Sequence, residues 1–307
     1  MQSSAFSSQS SEPKVRRLST PFMDQKPGTS GLRKSSKQFE SKDYLESFIE
    51  AIFRTLPGVD GGILVLGGDG RYGNHRAIDL ILRMSAAHGL SKVITTVDGI
   101  LSTPAASNLI RKNHAIGGII LSASHNSGGP DGDFGVKLNG ANGGPAPESL
   151  TNAIYECSQT LEEYKILQHP RIPLDSIGQH SIFSMAVEVV DGVEDYISLM
   201  QKLFDFDRIN SFIKNDFLIA FDAMNAVTGP YAKSLFEGLL QAPIGTVRNG
   251  IPLEDFGGCH PDPNLTYAKE LADLLLIEDA YSFGAACDGD GDRNMILGRG
   301  CFVNPSD

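Results

Sequence analysis

The sequence predicts an α/β protein built from two consecutive α/β/α layered domains. Short apolar segments alternate with segments whose apolar residues recur at helical spacing, as in a sheet layered with helices. A unit of strand, acidic residue, glycine and helix recurs at Asp69, Asp222 and Asp288, which indicates repeated units of one topology. The chain has 307 residues, 41% of them hydrophobic and 21% charged. It is therefore long enough for two domains with cores of their own.

The first segment, residues 1–22, is predicted to be a disordered Ser-rich tail. Seven serines lie between Ser3 and Ser19, and no hydrophobic period is present. Such an acid-poor start is also typical of an organelle transit peptide, so a plastid or another organelle stays an alternative to the cytoplasm. The run Arg16-Arg17-Leu18-Ser19 could attract a basophilic kinase.

The apolar pattern then predicts the elements of a first domain, residues 23–193. The predicted elements are a helix at 44–53, a strand at 63–66, a helix at 77–87, strands at 92–97 and 117–121, a loop at 128–147 and a helix near 150–164. We expect the long Gly/Pro-rich loop to be functional, because long loops in compact domains usually are.

The second domain, residues 194–307, repeats the pattern. A helix is predicted from about Val193, a strand at 217–221 ends at Asp222, and a strand at 283–287 ends at Asp288. The domain boundary is placed near residue 193.

Charge and cysteine content exclude several classes of partner. The net charge is −11, from 26 basic and 37 acidic residues, so nucleic acid and anionic membranes are not predicted partners. No apolar run reaches the length of a membrane span. The four cysteines, Cys157, Cys259, Cys287 and Cys301, lack CxxC spacing, which favours a reduced compartment and a cytoplasmic location.

The run Gly68 to Gly73 matches GxGxxG, the pattern of a dinucleotide-binding turn. However, Asp69 would put a carboxylate beside the pyrophosphate, and Asn74 has the position of the helix N-cap, which leaves Gly73 outside the helix. A tight Gly-rich turn after a strand is the favoured interpretation.

Asp288, Asp290 and Asp292 place three carboxylates at alternate positions, separated by glycines that let the backbone curl. Their mutual repulsion calls for a cation. An EF-hand is excluded, because Arg293 and Arg299 stand where that loop needs Gly and Glu. Oxygen-only ligands favour Mg²⁺, and a solvated acidic turn stays the alternative.

Two further runs suit anionic ligands. Residues 122–129, SASHNSGG, bring Ser124 and His125 to the open end of a predicted sheet, where α/β folds bind ligands. Residues 26–34, KPGTSGLRK, combine backbone amides, hydroxyls and cations, a composition that suits phosphate. Neither has the spacing of a nucleophile elbow or a P-loop, so a polar loop and a basic surface loop stay open.

Together, the motifs resemble the phosphoglucomutases of the α-D-phosphohexomutase superfamily over residues 24–307. The motifs that carry the resemblance are DQKPGTSGLRK (24–34), GGDGRY (67–72), GILSTPA (99–105), SASHNSGG (122–129), GDFGVK (132–137), NGGPAPE (142–148), PLEDFGG (252–258), HPDPNLTYA (260–268) and DGDGDRNMILG (288–298).

The resemblance implies a fold of four domains around a cleft, with mixed sheets and helices on both faces. Only domains I and II are matched, so we expect a fragment or truncated isoform that lacks domains III and IV. Such a chain is expected to have impaired turnover, and its sugar specificity is not encoded in the matched part. We expect a monomer at full length, and association through a face exposed by truncation.

The implied activity is an isomerase reaction that interconverts glucose 1-phosphate and glucose 6-phosphate through a phosphoserine and glucose 1,6-bisphosphate. By motif match the phosphoserine is Ser124, and Mg²⁺ would be held by the three aspartates and a phosphate oxygen on Ser124. The other implied residues are His125 and Lys137 for proton transfer and charge stabilisation, and Thr29, Arg33 and Arg293 for phosphate binding.

Two positions depart from the family pattern. Ser127 stands where Pro is usual, and Gly289 where Ala is usual, so both loops are expected to be less constrained. A non-catalytic binding or scaffold protein of the same fold is the alternative function. Retention of Ser124, Lys137 and the three aspartates argues against it.

Overall fold

The computed structural model describes residues 13–28 and 30–303, and it confirms the predicted α/β class with two α/β/α units. The strands of the first half are β1 (Lys14–Arg17), β2 (Leu32–Ser35), β3 (Ile63–Gly68), β4 (Lys92–Thr96), β5 (Gly117–Leu121), β6 (Asp133–Gly140), β7 (Glu163–Ile166), β8 (Gly178–Ile182) and β9 (Met185–Val190). Its helices are α1 (Ser36–Glu40), α2 (Tyr44–Thr55), α3 (Asn74–Ala87), α4 (Thr103–Lys112) and α5 (Glu148–Ser158).

The second half starts with two helices and then builds a smaller sheet. Its helices are α6 (Gly192–Leu203), α7 (Phe206–Lys214), α8 (Thr228–Ala232) and α9 (Lys269–Leu276). Its strands are β10 (Ile219–Asp222), β11 (Val247–Arg248), β12 (Phe283–Cys287), β13 (Asn294–Gly298) and β14 (Cys301–Val303). The predicted boundary near residue 193 lies between β9 and β10.

Both main sheets are mixed. The first has the strand order β2-β6-β5-β3-β4-β9-β8, and the second has the order β11-β10-β12-β13-β14. β3, β4, β5 and β9 run parallel to one another, and β10 runs parallel to β11 and β12. The carboxyl ends of parallel strands share one edge of each sheet, and this is where open α/β sheets bind ligands.

Apolar burial explains the central elements. β5 is buried along its whole length, which explains its unbroken apolar run. α2 buries its stripe in the core cluster on one face of the first sheet, and α4 packs on the other face. Tyr231 of α8 joins the α4 cluster, so the second half packs directly against the first. The described residues include no helix with the length and hydropathy needed to cross a membrane.

The predicted loop at 128–147 is wrong at its centre, because residues 133–140 form β6. β6 pairs antiparallel with β2 and β5. Phe134, Val136 and Leu138 alternate with Lys137 and other residues at the period of a strand, and the surrounding glycines masked this signal. Lys137, on this strand, is buried.

The predicted disordered tail is also wrong for residues 13–22, while residues 1–12 lie outside the described part. β1 pairs with β7, and Leu18 and Phe22 pack against the first core. Leu18 and Phe22 are isolated apolar residues that do not recur at a regular spacing, so the hydrophobic pattern of the sequence did not predict their burial.

Two element boundaries differ from the prediction. The helix near 150–164 ends at Ser158, because β7 follows from Glu163. After Asp288 the chain enters antiparallel β13 rather than a helix, so the third repeat of the unit is incomplete.

Candidate active site

The site lies where the carboxyl ends of the two sheets face each other. Ser124 follows β5, and Asp288 follows β12. The Ser124 hydroxyl donates a hydrogen bond of 2.5 Å to Oδ2 of Asp288. This contact joins residues 164 positions apart, and neither side chain has exposed surface.

The backbone of Ser124 is held in the left-handed region, with φ of +57°. Such a conformation costs free energy in a residue other than glycine, so its surroundings must hold it. The Ser124 amide donates to Oγ of Ser122 at 2.7 Å, and Nη2 of Arg71 donates to the Ser124 carbonyl at 2.8 Å. Both side chains were missed by the sequence interpretation.

Arg71 is the central support of this loop. Its Nε donates to both oxygens of Asp69, at 3.0 and 2.9 Å, and Nη1 donates to the Asp133 carbonyl at 2.8 Å. Its guanidinium lies 5.1 Å from the ring centroid of Phe256, in the second half of the chain. The GxGxxG run therefore serves as a turn that buries an Asp–Arg pair, as favoured over a dinucleotide site.

One detail of that run differs from the prediction. Gly73, with φ of +87°, is the N-cap of α3, and Asn74 is the first helical residue. The left-handed conformation favours glycine over asparagine at the cap.

The three aspartates converge as the spacing indicated. Carboxylate oxygens of Asp288, Asp290 and Asp292 lie within 4.8 Å of one another, with the first two buried and the third exposed. Burial and the neighbouring charge of Asp290 raise the pKa of Asp288 to about 7. Among the described residues, Oδ1 of buried Asp290 has no hydrogen-bond partner.

Lys137 and Thr103 face the aspartates from the first half. Nζ of Lys137 lies 2.5 Å from Oδ2 of Asp290 and 3.0 Å from Oδ2 of Asp292. Burial alone would lower the pKa of Lys137, but the two carboxylates raise it, so the side chain is an ammonium ion. The Thr103 hydroxyl also donates to Asp290, and the cap of α4 by Ser102 places it there. Thr103 was not singled out from the sequence, although it lies in the GILSTPA motif.

Two arginines and a histidine form a further group at the site. Nη1 of Arg293 donates to Nδ1 of His125 at 2.6 Å. Burial, with the charges of Arg293 and Arg33, lowers the pKa of His125, so its ring is neutral near pH 7. Burial, Arg293 and Arg71 also lower the pKa of Arg33.

Arg33 has two buried donor atoms that find no acceptor in the described part of the chain. Within the described residues, its Nε and Nη2 atoms have no hydrogen-bond partner. An unpaired buried guanidinium group is costly, and an anion is the natural partner. Thr29, the other predicted phosphate ligand of this loop, lies outside the described residues.

The residues present fit a divalent cation. With all three aspartates ionised, as a bound cation would require, the carboxylates and the Lys137 ammonium carry a formal charge of −2 (−3 + 1), and all the aspartate donors are oxygens. The four cysteines are unpaired, and none belongs to this cluster.

Two family models match the chain, one in each of its two halves. Residues 24–165 match the family model described as phosphoglucomutase/phosphomannomutase, alpha/beta/alpha domain I, and residues 194–300 match that of domain II. A phosphoglucomutase of Rhizobium radiobacter is 55% identical over 288 residues, which are 94% of this chain and 53% of that protein. A chloroplastic phosphoglucomutase of Solanum tuberosum is 51% identical over 303 residues, which are 97% of this chain and 48% of that protein.

A solved structure shows the same arrangement. The exocytosis-sensitive phosphoprotein pp63/parafusin (phosphoglucomutase) of Paramecium, in its open form, superposes with a TM-score of 0.92 at 46% identity. The match covers 96% of this chain and 56% of that one. The chain spans about half the length of the curated relatives that it matches.

Proposed function

The chain belongs to the phosphoglucomutase/phosphomannomutase family, and from this premise we propose that it carries the phosphoserine and metal sites of a phosphoglucomutase. The substrate class is a hexose phosphate, interconverted between glucose 1-phosphate and glucose 6-phosphate. Glucose 1,6-bisphosphate is the activating intermediate. These assignments rest on the names of the relatives and on the site geometry.

The observation that carries the proposal is the hydrogen bond between Ser124 and Asp288. Among the described residues, the Ser124 hydroxyl is the only hydroxyl of the SASHN run that touches the acidic cluster. The hydrogen bond holds this hydroxyl between the two sheets. Transfer from phosphorylated Ser124 breaks the bond between phosphorus and Oγ and forms a bond from phosphorus to a sugar hydroxyl oxygen. The proton of the sugar hydroxyl passes to the released Oγ of Ser124, and the bisphosphate reorients. Its other phosphate is then transferred to Oγ, which breaks the bond from that phosphorus to the sugar oxygen, returns the proton to that oxygen and restores the phosphoserine.

The cation that fits Asp288, Asp290 and Asp292 is Mg²⁺, because the donors are oxygens and the net charge of the cluster matches a divalent ion. When bound, it neutralises charge on the transferring phosphoryl group. A phosphate on Ser124 has no proton to donate to Asp288, so without a cation the two groups would repel each other.

The remaining residues bind the phosphate and support charge transfer. Arg33 supplies guanidinium donors that lack protein acceptors among the described residues. Arg293 is oriented by His125, whose neutral ring accepts its hydrogen bond. The Lys137 ammonium stabilises negative charge beside the aspartates and holds a proton within reach of the cluster.

Labelling tests this assignment on the chain as it exists. The purified protein is incubated with ³²P-labelled glucose 1,6-bisphosphate and Mg²⁺, and the labelled residue is mapped by mass spectrometry. We expect label on Ser124 and none in Ser124→Ala. Asp290→Asn should slow labelling by about 10² or more, as expected for loss of one electrostatic partner of a transferring group.

Two exposed positions serve as controls. Ser176→Ala and Asp279→Asn should be labelled at the normal rate, because both lie on the surface away from the site. Absence of label in a folded protein, or equal label in Ser124→Ala, would refute the enzymatic assignment and favour a binding or scaffold role.

We propose a cytoplasmic location, with a plastid as the alternative suggested by the Ser-rich start and by the chloroplastic relative. A fluorescent protein fused to residues 1–22 should stay in the cytoplasm. Import into an organelle would overturn the cytoplasmic assignment.

A further inference from the structure

The sequence contains two runs of two basic residues, one intervening residue and a serine. They are Arg16-Arg17-Leu18-Ser19 and Arg33-Lys34-Ser35-Ser36. Kinases that recognise basic residues read this pattern with carboxylates that pair with the two cations. In the structure, one of the two runs is accessible to a kinase and the other is not.

The second run is not available to another enzyme. Ser36 is 2% exposed, and its hydroxyl donates to the carbonyl of Gly129 at 3.0 Å. Arg33 belongs to the candidate active site, where two of its nitrogens are buried. Recognition of this run would require the first domain to open.

The first run is presented on the surface. All four residues of β1, including Arg16 and Arg17, are exposed, and Ser19 is exposed in a bend directly after the strand. Among the described residues, neither arginine has an ion pair or side-chain hydrogen bond. Both guanidinium groups are therefore available to carboxylates of a partner.

The β1 strand itself can open locally. Among the described residues, β1 pairs only with β7, in a two-stranded sheet. Opening of β1 uncovers no buried side chain of the strand itself, and the half-buried Leu18 is the one core contact that must also be released, while Phe22 can stay packed on the first core. Short edge strands with exposed backbone lie at the low-stability end of a fold and open locally. Kinases bind substrates as extended segments, which this opening supplies.

We propose that Ser19 is a phosphorylation site for a basophilic serine/threonine kinase, distinct from the Ser124 site. In this reaction, Oγ of Ser19 forms a bond to the γ-phosphorus of ATP, and the bond from that phosphorus to the bridging oxygen breaks. ADP leaves, and the hydroxyl proton passes to the base of the kinase. The proposal does not depend on the proposed mutase function, because the phosphoryl donor and the acceptor residue are both different.

The test uses the full folded chain, the catalytic subunit of cyclic-AMP-dependent protein kinase and γ-³²P-labelled ATP, without glucose 1,6-bisphosphate. We expect about one phosphate per chain, mapped to Ser19 and absent in Ser19→Ala. Replacing Arg16 and Arg17 together by Ala should slow labelling by about tenfold or more, because hydrogen bonds between charged groups are lost. Ser36→Ala and Ser124→Ala should label normally.

Three results would overturn the proposal. The first is label retained in Ser19→Ala, and the second is a rate unaffected by loss of both arginines. The third is labelling of heat-unfolded chain with none of the folded chain, since the folded structure would then not present the segment. Circular dichroism of each variant checks that a lost label does not reflect unfolding.

Discussion

Arg71 shows how one buried side chain holds the reactive loop. Its guanidinium has no exposed surface and donates to a carboxylate and to two backbone carbonyls, one in the loop after β5 and one at the start of β6. A planar fork of five donors can satisfy all of these acceptors, and a lysine ammonium cannot. The charge therefore matters less here than the shape of the donor group.

We expect Arg71→Lys to lower the free energy of unfolding by about 1–3 kcal/mol, because buried carbonyls lose their donors. It should also slow labelling of Ser124, whose left-handed backbone loses a support. The measurements are urea unfolding and the labelling rate. Arg83→Lys is the matched control, since Arg83 pairs with Asp79 at 2.8 Å near the surface, and it should change stability by less than about 1 kcal/mol. Equal effects of both substitutions would contradict the role given to Arg71.

Gly31 holds the run at residues 26–34 close to β6. It has φ of +87°, and a Cβ at this position would lie 2.3 Å from the carbonyl oxygen of Val136. Two separate constraints therefore require glycine, a left-handed backbone and a close approach to another strand. The loop leads directly into β2, which carries Arg33.

Gly61 allows the two constraints to be separated. It also has a positive φ, of +75°, but a Cβ there would have no atom within 4 Å. We expect Gly61→Ala to cost about 1–2 kcal/mol from backbone strain alone. Gly31→Ala should cost about 1–3 kcal/mol more, from overpacking against β6. Urea unfolding measures both, and equal losses would show that the approach to β6 does not constrain the loop.

At the level of secondary structure, one buried carboxylate connects α2, α3 and β7. Glu50 accepts hydrogen bonds from Arg54 at 2.7 Å, from His88 at 2.8 Å and from the Lys165 amide at 3.0 Å. Burial by itself would raise the pKa of Glu50, but the hydrogen bonds from these groups lower it below its ordinary value. β7 in turn carries β1, so this carboxylate supports the edge on which Ser19 is presented.

The lowered pKa sets the sign of a pH effect. Folding favours the ionised form, so the contribution of Glu50 is complete above the unfolded pKa of about 4.3 and is lost as pH falls through the folded-state value. We expect Glu50→Gln to lower stability by about 1–3 kcal/mol at pH 7, because an amide donor replaces an acceptor. The difference from the unsubstituted chain should shrink below about pH 4.

Glu188→Gln is the control for this experiment. Glu188 pairs with Lys92 at 3.0 Å with both side chains partly exposed, so its loss should cost no more than about 1 kcal/mol. The measurement is urea unfolding from pH 7 to pH 3.5. If the difference in the free energy of unfolding between Glu50→Gln and the unsubstituted chain did not change with pH, the lowered pKa of Glu50 would be contradicted.

For the molecule as a whole, the acidic cluster joins the two halves of the chain. Lys137, Thr103 and Ser124 come from the first half, and the aspartates come from the second. A cation bound to this cluster stabilises the folded chain, because the unfolded chain does not hold the three carboxylates together.

We therefore expect Mg²⁺ to raise the thermal stability of the chain, and EDTA to reverse the effect. At a hundredfold excess of Mg²⁺ over its Kd, the gain is about 2.7 kcal/mol. Asp290→Asn should lose most of the gain, and Asp279→Asn, an exposed acid, should keep it. The measurement is a melting curve with and without Mg²⁺. Equal gains in both variants would place the ion elsewhere.

The sequence by itself determined the helices and strands whose side-chain spacing is regular. The period of α2 and the apolar run of β5 predicted those elements, because side-chain spacing along a helix or strand is local. The motifs also indicated the family, and the alternation in 288–292 predicted that three carboxylates converge, which the structure shows. Where glycines or single anchors hid the period, as in β6 and β1, local pattern was not sufficient.

Only the tertiary structure decided which groups meet. Thr103 and Asp290 are 187 positions apart, and Lys137 and Asp290 are 153 apart, so no spacing in the sequence relates them. The same holds for Arg71, whose place under the Ser124 loop depends on the docking of β3 beside β5. Contacts of this kind follow from sheet order and packing, which arise only when the whole chain has folded.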